Sequence, residues 1–249
     1  MPIKMIVTDL DDTLLRRDKT VSEYTKSILR HCRKSGVKMV VATGRGHPEF
    51  VAPTELFDAI VANNGANIFD GDAELRRCIS YAEARPLLLA CNDHGIRLSS
   101  QFNGVLYTNF DASLMWSHIE DFEIVDFASH TMDSEKISIE GITPEDEVFV
   151  EQHLTSNMYL KVARDRLGMI MHRKATTSVA AAELAERWGI SQNEIIAFGD
   201  DLNDIDLLTY AGIGVATDNA LTEVKEAADY VCCDCDNDGV AKWISKNIL

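Results

Sequence analysis

Asp9, Asp11 and Asp12 crowd three carboxylates into four residues of "IVTDLDDTLL", Ile6 to Leu15. They follow directly on an apolar run that reads as a buried strand. Carboxylates this close repel one another, so some must take up protons or share a cation. A second acidic group, "GDDLND" at Gly199 to Asp204, follows another apolar run, "EIIAF". Asp9, Asp11, Asp200 and Asp204 are hard oxygen donors with no His or Cys beside them, a set that suits Mg²⁺. An ionised aspartate is a nucleophile without a separate base, and carboxylates attack phosphorus as well as glycosidic carbon. Asp11 lies two residues beyond Asp9, on the same side of an extended chain. It can protonate a leaving alkoxide and then deprotonate an attacking water. In "VVATGR", Thr43 and the backbone N–H groups around Gly44 can cradle phosphoryl oxygens.

These groups need a scaffold that brings distant loops together. Up to about Phe69 the chain alternates strand and helix signals: "KMIVT", the amphipathic "VSEYTKSILRHCRKSG" with Ser22 as N-cap, "VKMVVAT", and "DAIVANNG" after a short helical stretch. The alternation resumes near Ser178 with "SVAAAELAERWGI", "EIIAFGD", "NDIDLLTYA", "GIGVAT", "ALTEVKEAA", "DYVCC" and "GVAKWISKNIL". Strands apolar at nearly every position, separated by helices, predict a parallel sheet covered on both faces. Between the halves, period-two segments such as "GIRLSSQFNGVLYTN", "EKISIEG" and "YLKVARDRLGMIMH" predict an antiparallel sheet with helices on one side. The expected organisation is a parallel α/β core over 1–80 and 173–249, with an α+β module inserted at 81–172. Ligands of such a core bind beyond the carboxyl ends of its strands. Four loops meet that rule: the Asp9–Asp12 loop, Thr43–Arg45, Asn63–Ala66 and Gly199–Asp204.

The chain has 249 residues, 46% hydrophobic and 26% charged, with a formal net charge of −16. That profile predicts a globular protein whose surface repels nucleic acid and anionic membranes. No apolar run approaches membrane-spanning length, and the N-terminus runs straight into a strand, so a cytoplasmic location is expected. The six cysteines form no disulfide framework and are expected as reduced thiols. "DCDNDG", Asp234 to Gly239, mimics the start of a calcium loop, but its twelfth position is Ser245 rather than Glu, so an acidic surface turn is expected.

"DLDDT", "ATGR" and "GDDLND" together resemble motifs one, two and four of the haloacid dehalogenase (HAD) superfamily, in its phosphatase branch. "VANNGA", "GIGVATDNA" and "DGVAKWI" resemble its Cof-type, sugar-phosphatase-like subfamily. The resemblance covers the core, and it implies a Rossmann-like doubly wound parallel sheet carrying a C2-type cap. It implies a Mg²⁺-dependent phosphomonoester hydrolase acting on a small phosphorylated metabolite such as a sugar phosphate; whether it works as a monomer or homodimer stays open. Asp9 would form an aspartyl-phosphate. Asp11 would be general acid/base, with its backbone carbonyl on Mg²⁺. Thr43 and Gly44 would bind phosphate, Asp200 would ligate Mg²⁺, and Asn203 and Asp204 would support phosphate and metal.

The pattern departs from the family at motif three. Counting back from "AERWGIS" puts the expected lysine at Thr177. Lys174, one turn earlier, is then the candidate cation, with Arg173 and Arg45 as fallback donors. Asp12 stands where the family usually has glycine, with its side chain expected to point away. Two rival functions stay open at this stage: a phosphomutase that keeps water from the phospho-aspartate, and a non-catalytic sensor of phosphorylated ligands. The aromatics Phe102, Tyr107, Phe110, Trp116 and Phe122 of the insert are expected mostly in its core.

Overall fold

Every residue of Met5–Asp9 is buried, so this strand needs cover on both faces, and successive side chains supply it in alternation. Ile6 joins one apolar cluster, with Leu29, Met39, Val41, Phe198, Val240 and Ile244. Met5 and Val7 join another, with Val40, Ala180, Leu184, Leu207 and Val224. The computed structural model that shows this describes residues 2–46, 53–114, 122–163 and 166–249.

The elements run in chain order as β1 (Met5–Asp9), α1 (Glu23–Lys34), β2 (Lys38–Ala42), β3 (Ala59–Ala62), β4 (Asn67–Asp70) and β5 (Ala73–Arg76). They continue with α2 (Tyr81–Asp93), β6 (Leu98–Phe102), β7 (Val105–Thr108), β8 (Phe122–Ile124), β9 (Lys136–Ile139), α3 (Pro144–Glu151), β10 (Met158–Val162) and β11 (Gly168–His172). The remainder is α4 (Thr177–Trp188), β12 (Ile195–Gly199), α5 (Ile205–Tyr210), β13 (Ile213–Ala216), α6 (Thr222–Ala227), β14 (Tyr230–Val231) and α7 (Gly239–Asn247).

The chain divides into two compact units, one of residues Met1–Leu75 and Thr176–Leu249, the other of Arg76–Ala175. The first is built on the sheet β14-β13-β12-β1-β2-β3-β4-β5. From β14 to β3 neighbouring strands are parallel, and β4 turns back antiparallel to β3. Helices α1 and α7 bury their apolar residues on one face of this sheet, and α4, α5 and α6 on the other. This is the doubly wound α/β fold class anticipated from the alternation of strands and helices. Helix ends follow local chemistry: Ser22 caps α1 by accepting from Thr25 N–H at 3.0 Å, and Gly189, left-handed at φ +65°, ends α4.

The second unit has the sheet β10-β11-β9-β6-β7-β8. Its neighbours are antiparallel apart from β7 and β8, which run parallel, a mixed sheet where a purely antiparallel one was expected. Leu87, Leu88 and Cys91 of α2 and Val150 of α3 pack with Leu98, Ile137, Ile139 and Ile170 from the strands. Phe127 is fully buried here. Phe102, Tyr107, Phe110 and Phe122 are only partly buried, and Trp116 lies outside the described residues.

Candidate active site

β1 lies between β12 and β2, with Asp9 opposite Ala42 and Thr8 opposite Phe198. The three strands therefore end side by side, and the next residues are Leu10, Thr43 and Asp200. The chain beyond β1 makes a single wide turn, closed by the Leu15 N–H donating to the Leu10 carbonyl at 2.8 Å. Within the turn Asp11 is extended and Asp12 is left-handed, at φ 59°. Leu10 and Leu14 plunge into the core, which leaves Asp11 and Asp12 at the surface. An aspartate tolerates that left-handed position better than most residues, which is why it can stand in for glycine. Asn219 ties the turn down: its Nδ2 donates to the Asp12 carbonyl at 2.7 Å, and its Oδ1 accepts from Cys235 N–H at 2.9 Å.

One carboxylate oxygen from each of Asp9, Asp200 and Asp204 lies within 4.8 Å of the others. Thr13 Oγ1 donates to Asp200 Oδ1 at 2.6 Å. Asp204 Oδ2 accepts the backbone N–H groups of Asp200 at 2.9 Å and Asp201 at 3.0 Å, and Asn203 Nδ2 donates to its other oxygen at 3.3 Å. Gly199 makes room for this arrangement, since a Cβ there would sit 2.3 Å from Asp204 Cβ. Gly199→Ala is accordingly expected to destabilise the protein by about 2 kcal/mol, read as a lower urea midpoint at unchanged slope. An unchanged midpoint would show that Asp204 can move aside freely.

Electrostatics at this cluster run against ionisation. Burial, then the charges of Asp204 and Asp200, push the Asp9 carboxyl well above the ordinary range. Burial raises Asp200 to about 6 despite the Thr13 hydrogen bond. Burial also raises Asp204 to about 7, against the pull of the two backbone N–H groups and with the Asp200 charge adding to it. Three hard oxygen donors that cannot comfortably all be charged are a donor set that fits a hard divalent cation such as Mg²⁺.

Asp11 turns away from this trio. Arg45 grips it with two hydrogen bonds, Nε to Oδ2 at 2.9 Å and Nη2 to Oδ1 at 2.8 Å, and Lys19 Nζ lies 3.1 Å from Oδ1. Burial raises this carboxyl, but the two cations outweigh it and hold it below its ordinary value. Asp12 points the same way, 3.3 Å from Lys19 Nζ. The Thr43–Arg45 loop is stitched to the Asn63–Ala66 loop. Thr43 Oγ1 accepts from Arg45 N–H at 3.2 Å, Asn64 N–H donates to the Thr43 carbonyl at 2.9 Å, and Asn63 N–H donates to the Arg45 carbonyl at 2.8 Å. Gly65, at φ +101°, lets that loop pass against Thr176, whose carbonyl oxygen would lie 2.3 Å from an added Cβ.

The first unit thus gathers Asp9, Asp11, Thr43, Gly44, Arg45, Asp200, Asn203 and Asp204 at the carboxyl ends of its strands. Lys174 belongs to the second unit, exposed just past β11, with its N–H donating to His172 Nδ1 at 3.1 Å. Thr177 is buried at the start of α4, and its hydroxyl donates to Asp206 Oδ1 at 3.2 Å. Lys19, Thr13 and Asn219 were not anticipated as site residues. For Lys19 there was a signal, the basic stretch "RRDKT" directly after the acidic one. The calcium-loop mimic resolves as a braced turn: Arg16 Nη2 reaches both oxygens of Asp238 at 3.0 and 2.9 Å, and Arg17 N–H donates to Asp236 Oδ1 at 3.0 Å. All six cysteines are free thiols.

A family model described as haloacid dehalogenase-like hydrolase matches residues 6–244. The chain belongs to the haloacid dehalogenase-like hydrolase family. Among curated relatives of this hydrolase is the 5-amino-6-(5-phospho-D-ribitylamino)uracil phosphatase YcsE of Bacillus subtilis, 30% identical, with 99% of this chain and 96% of the relative aligned. Among solved structures, the HAD subclass IIB sugar phosphatase BT4131 is 25% identical, superposes with a TM-score of 0.85, and the match covers 99% of this chain and 100% of the other. BT1666 from Bacteroides thetaiotaomicron, a HAD phosphatase, is 25% identical with a TM-score of 0.87, over 98% of this chain and 95% of its own. Phosphatase chemistry is common to these relatives, and the HAD-like hydrolase described here is an enzyme of that kind. No helix among the described residues is long and apolar enough to cross a membrane.

Proposed function

We propose that this phosphatase hydrolyses a phosphomonoester of a small sugar or sugar alcohol, with Mg²⁺ as its ion and a phosphorylated Asp9 as intermediate. The observation that carries the reading is Asp9 itself: a buried carboxylate at the end of a central strand, within 4.8 Å of two further carboxylates. In this reading the first unit is the catalytic core and Arg76–Ala175 is a C2-type cap. Asp9, Asp200 and Asp204 hold the ion, with the Asp11 backbone as a further donor. When bound, the ion offsets the carboxylate charge and draws electron density from the phosphoryl group.

Asp9 attacks phosphorus, an Oδ–P bond forms, and the bond from phosphorus to the substrate oxygen breaks. Asp11, held ionised by Arg45 and Lys19 in the free protein, takes up and delivers a proton to that departing oxygen once these cations turn to the phosphoryl group. Asp11 then takes a proton from water, the water oxygen bonds to phosphorus, and the Asp9–phosphorus bond breaks to release inorganic phosphate. Thr43, Gly44, Arg45 and Asn203 hold the phosphoryl oxygens through the two steps.

The substrate class draws support from the relatives. One is named a sugar phosphatase, and two, YcsE and YitU, are named for a phosphoribitylamino compound. Both classes carry phosphate on a hydroxylated carbon chain. The test is a phosphate-release screen with Mg²⁺ over hexose, pentose and ribityl phosphates, nucleotides and p-nitrophenyl phosphate. Release from one or more polyol phosphates is expected at kcat/KM of about 10⁴ M⁻¹s⁻¹ or higher. No release from any polyol phosphate would reject the assignment. Exchange of phosphoryl groups between sugar positions without free phosphate would favour a mutase instead.

A further inference from the structure

Beyond the turn that carries Asp11, the chain doubles back in a tight loop. Arg16 N–H donates to the Thr20 carbonyl at 3.0 Å, Lys19 N–H donates to the Arg16 carbonyl at 2.8 Å, and Asp18 Oδ1 accepts from Thr20 N–H at 3.0 Å. The loop is braced from outside by Arg16 on Asp238 and Arg17 on Asp236. At its tip Lys19 is left-handed, at φ 63°, a conformation that a long side chain without a local hydrogen-bonding group adopts only at a cost. That conformation is the one a three-residue hairpin loop requires at its last position, and it leaves Nζ 3.1 Å from Asp11 and 3.3 Å from Asp12. Lys19 is half exposed and its partner Asp11 is more than a third exposed, and an ion pair of that kind returns little stability in water. The ion pair is therefore poorly explained as a stabilising device.

Charge supplies the other half of the argument. A phosphoryl dianion entering beside Asp9, Asp200 and Asp204 meets three acidic groups. Among the described residues, Arg45 and Lys19 are the cations in contact with Asp11, and none contacts the other three carboxylates. At the start of α4, where the family resemblance expects a lysine, Thr177 is engaged with Asp206.

We propose that Lys19 is a substrate-binding residue whose ammonium leaves Asp11 and Asp12 for a phosphoryl oxygen when the phosphomonoester binds, working beside Arg45. The proposal rests on the phosphatase reading for its substrate, but its central claim concerns phosphate binding and is tested separately from turnover. An exposed side chain can be changed here without disturbing the core, so Lys19→Met removes the charge and keeps the stem. Lys19→Arg keeps the charge.

The experiment measures three quantities in the full-length protein with Mg²⁺: calorimetric affinity for inorganic phosphate, kcat/KM on p-nitrophenyl phosphate, and melting temperature without phosphate. For Lys19→Met, phosphate affinity is expected to fall about 10-fold and kcat/KM about 10- to 100-fold, with the ligand-free melting temperature within about 2 °C of the parent. Lys19→Arg is expected to recover most of both losses. Lys19→Met with phosphate affinity within about 2-fold of the parent would overturn the proposal and return Lys19 to the role of a surface ion pair. Should the parent hydrolyse nothing, the phosphatase reading fails, and the phosphate titration still decides the role of Lys19.

Discussion

Asp9→Asn is expected to lose turnover by at least about 10³-fold while making the metal-free protein harder to melt. The two effects have one origin. Asp9 is buried against Asp200 and Asp204, and its carboxyl is driven well above the ordinary range by burial and by those neighbours. Asparagine keeps the shape and removes both the proposed nucleophile and the charge that the folded state has to accommodate. Relief of that repulsion raises the metal-free melting temperature by several degrees at neutral pH, and phosphate release falls to background. A variant with near-parental turnover would remove Asp9 from the reaction. A metal-free variant less stable than its parent would show that the Asp9 charge is already compensated within the protein.

The metal-free protein is also expected to lose stability as pH rises, and a divalent cation should restore it. Asp200 is raised to about 6 and Asp204 to about 7, both by burial first. In the unfolded chain both groups titrate near 4. Between that value and the folded ones, the folded state binds more protons than the unfolded state, so stability falls with rising pH. With chelator present, the melting temperature at pH 7.5 should lie about 5 °C or more below that at pH 5.5. A divalent cation such as Mg²⁺ would bind the ionised set, so its stabilising effect should grow across the same interval. The measurement is a pair of melting series, with chelator and with Mg²⁺. A difference between them that does not grow with pH would detach the carboxylate cluster from metal binding.

The core fold was legible because its strands are apolar at successive positions and its helices carry one apolar face. Those patterns survive without any knowledge of tertiary contacts. The motifs at strand ends were legible too, since the strand order places residues such as Asp9, Thr43 and Asp200 together once the sheet is parallel. The β4–β5 hairpin escaped the reading although its signal was present, Gly71-Asp72 between two short runs, with Gly71 at φ +60°. Parallel pairing of β7 with β8 had no local signal, because strand direction is decided by the connection and not by composition. Lys19 was missed for a related reason. Its contact with Asp11 depends on how the loop folds back, and the basic stretch after the acidic one signals only the charge pattern, not that contact. Thr177 shows the converse: counting along the motif found the position, and only the structure supplied the partner, Asp206.

Arg16 and Asp238 are 222 positions apart in the chain, yet their ion pair braces the loop that follows the carboxylate turn. A ribosome delivers Asp9 and Asp11 early and Asp238 much later. The nascent polypeptide therefore carries that loop without its distal brace until the last turn emerges.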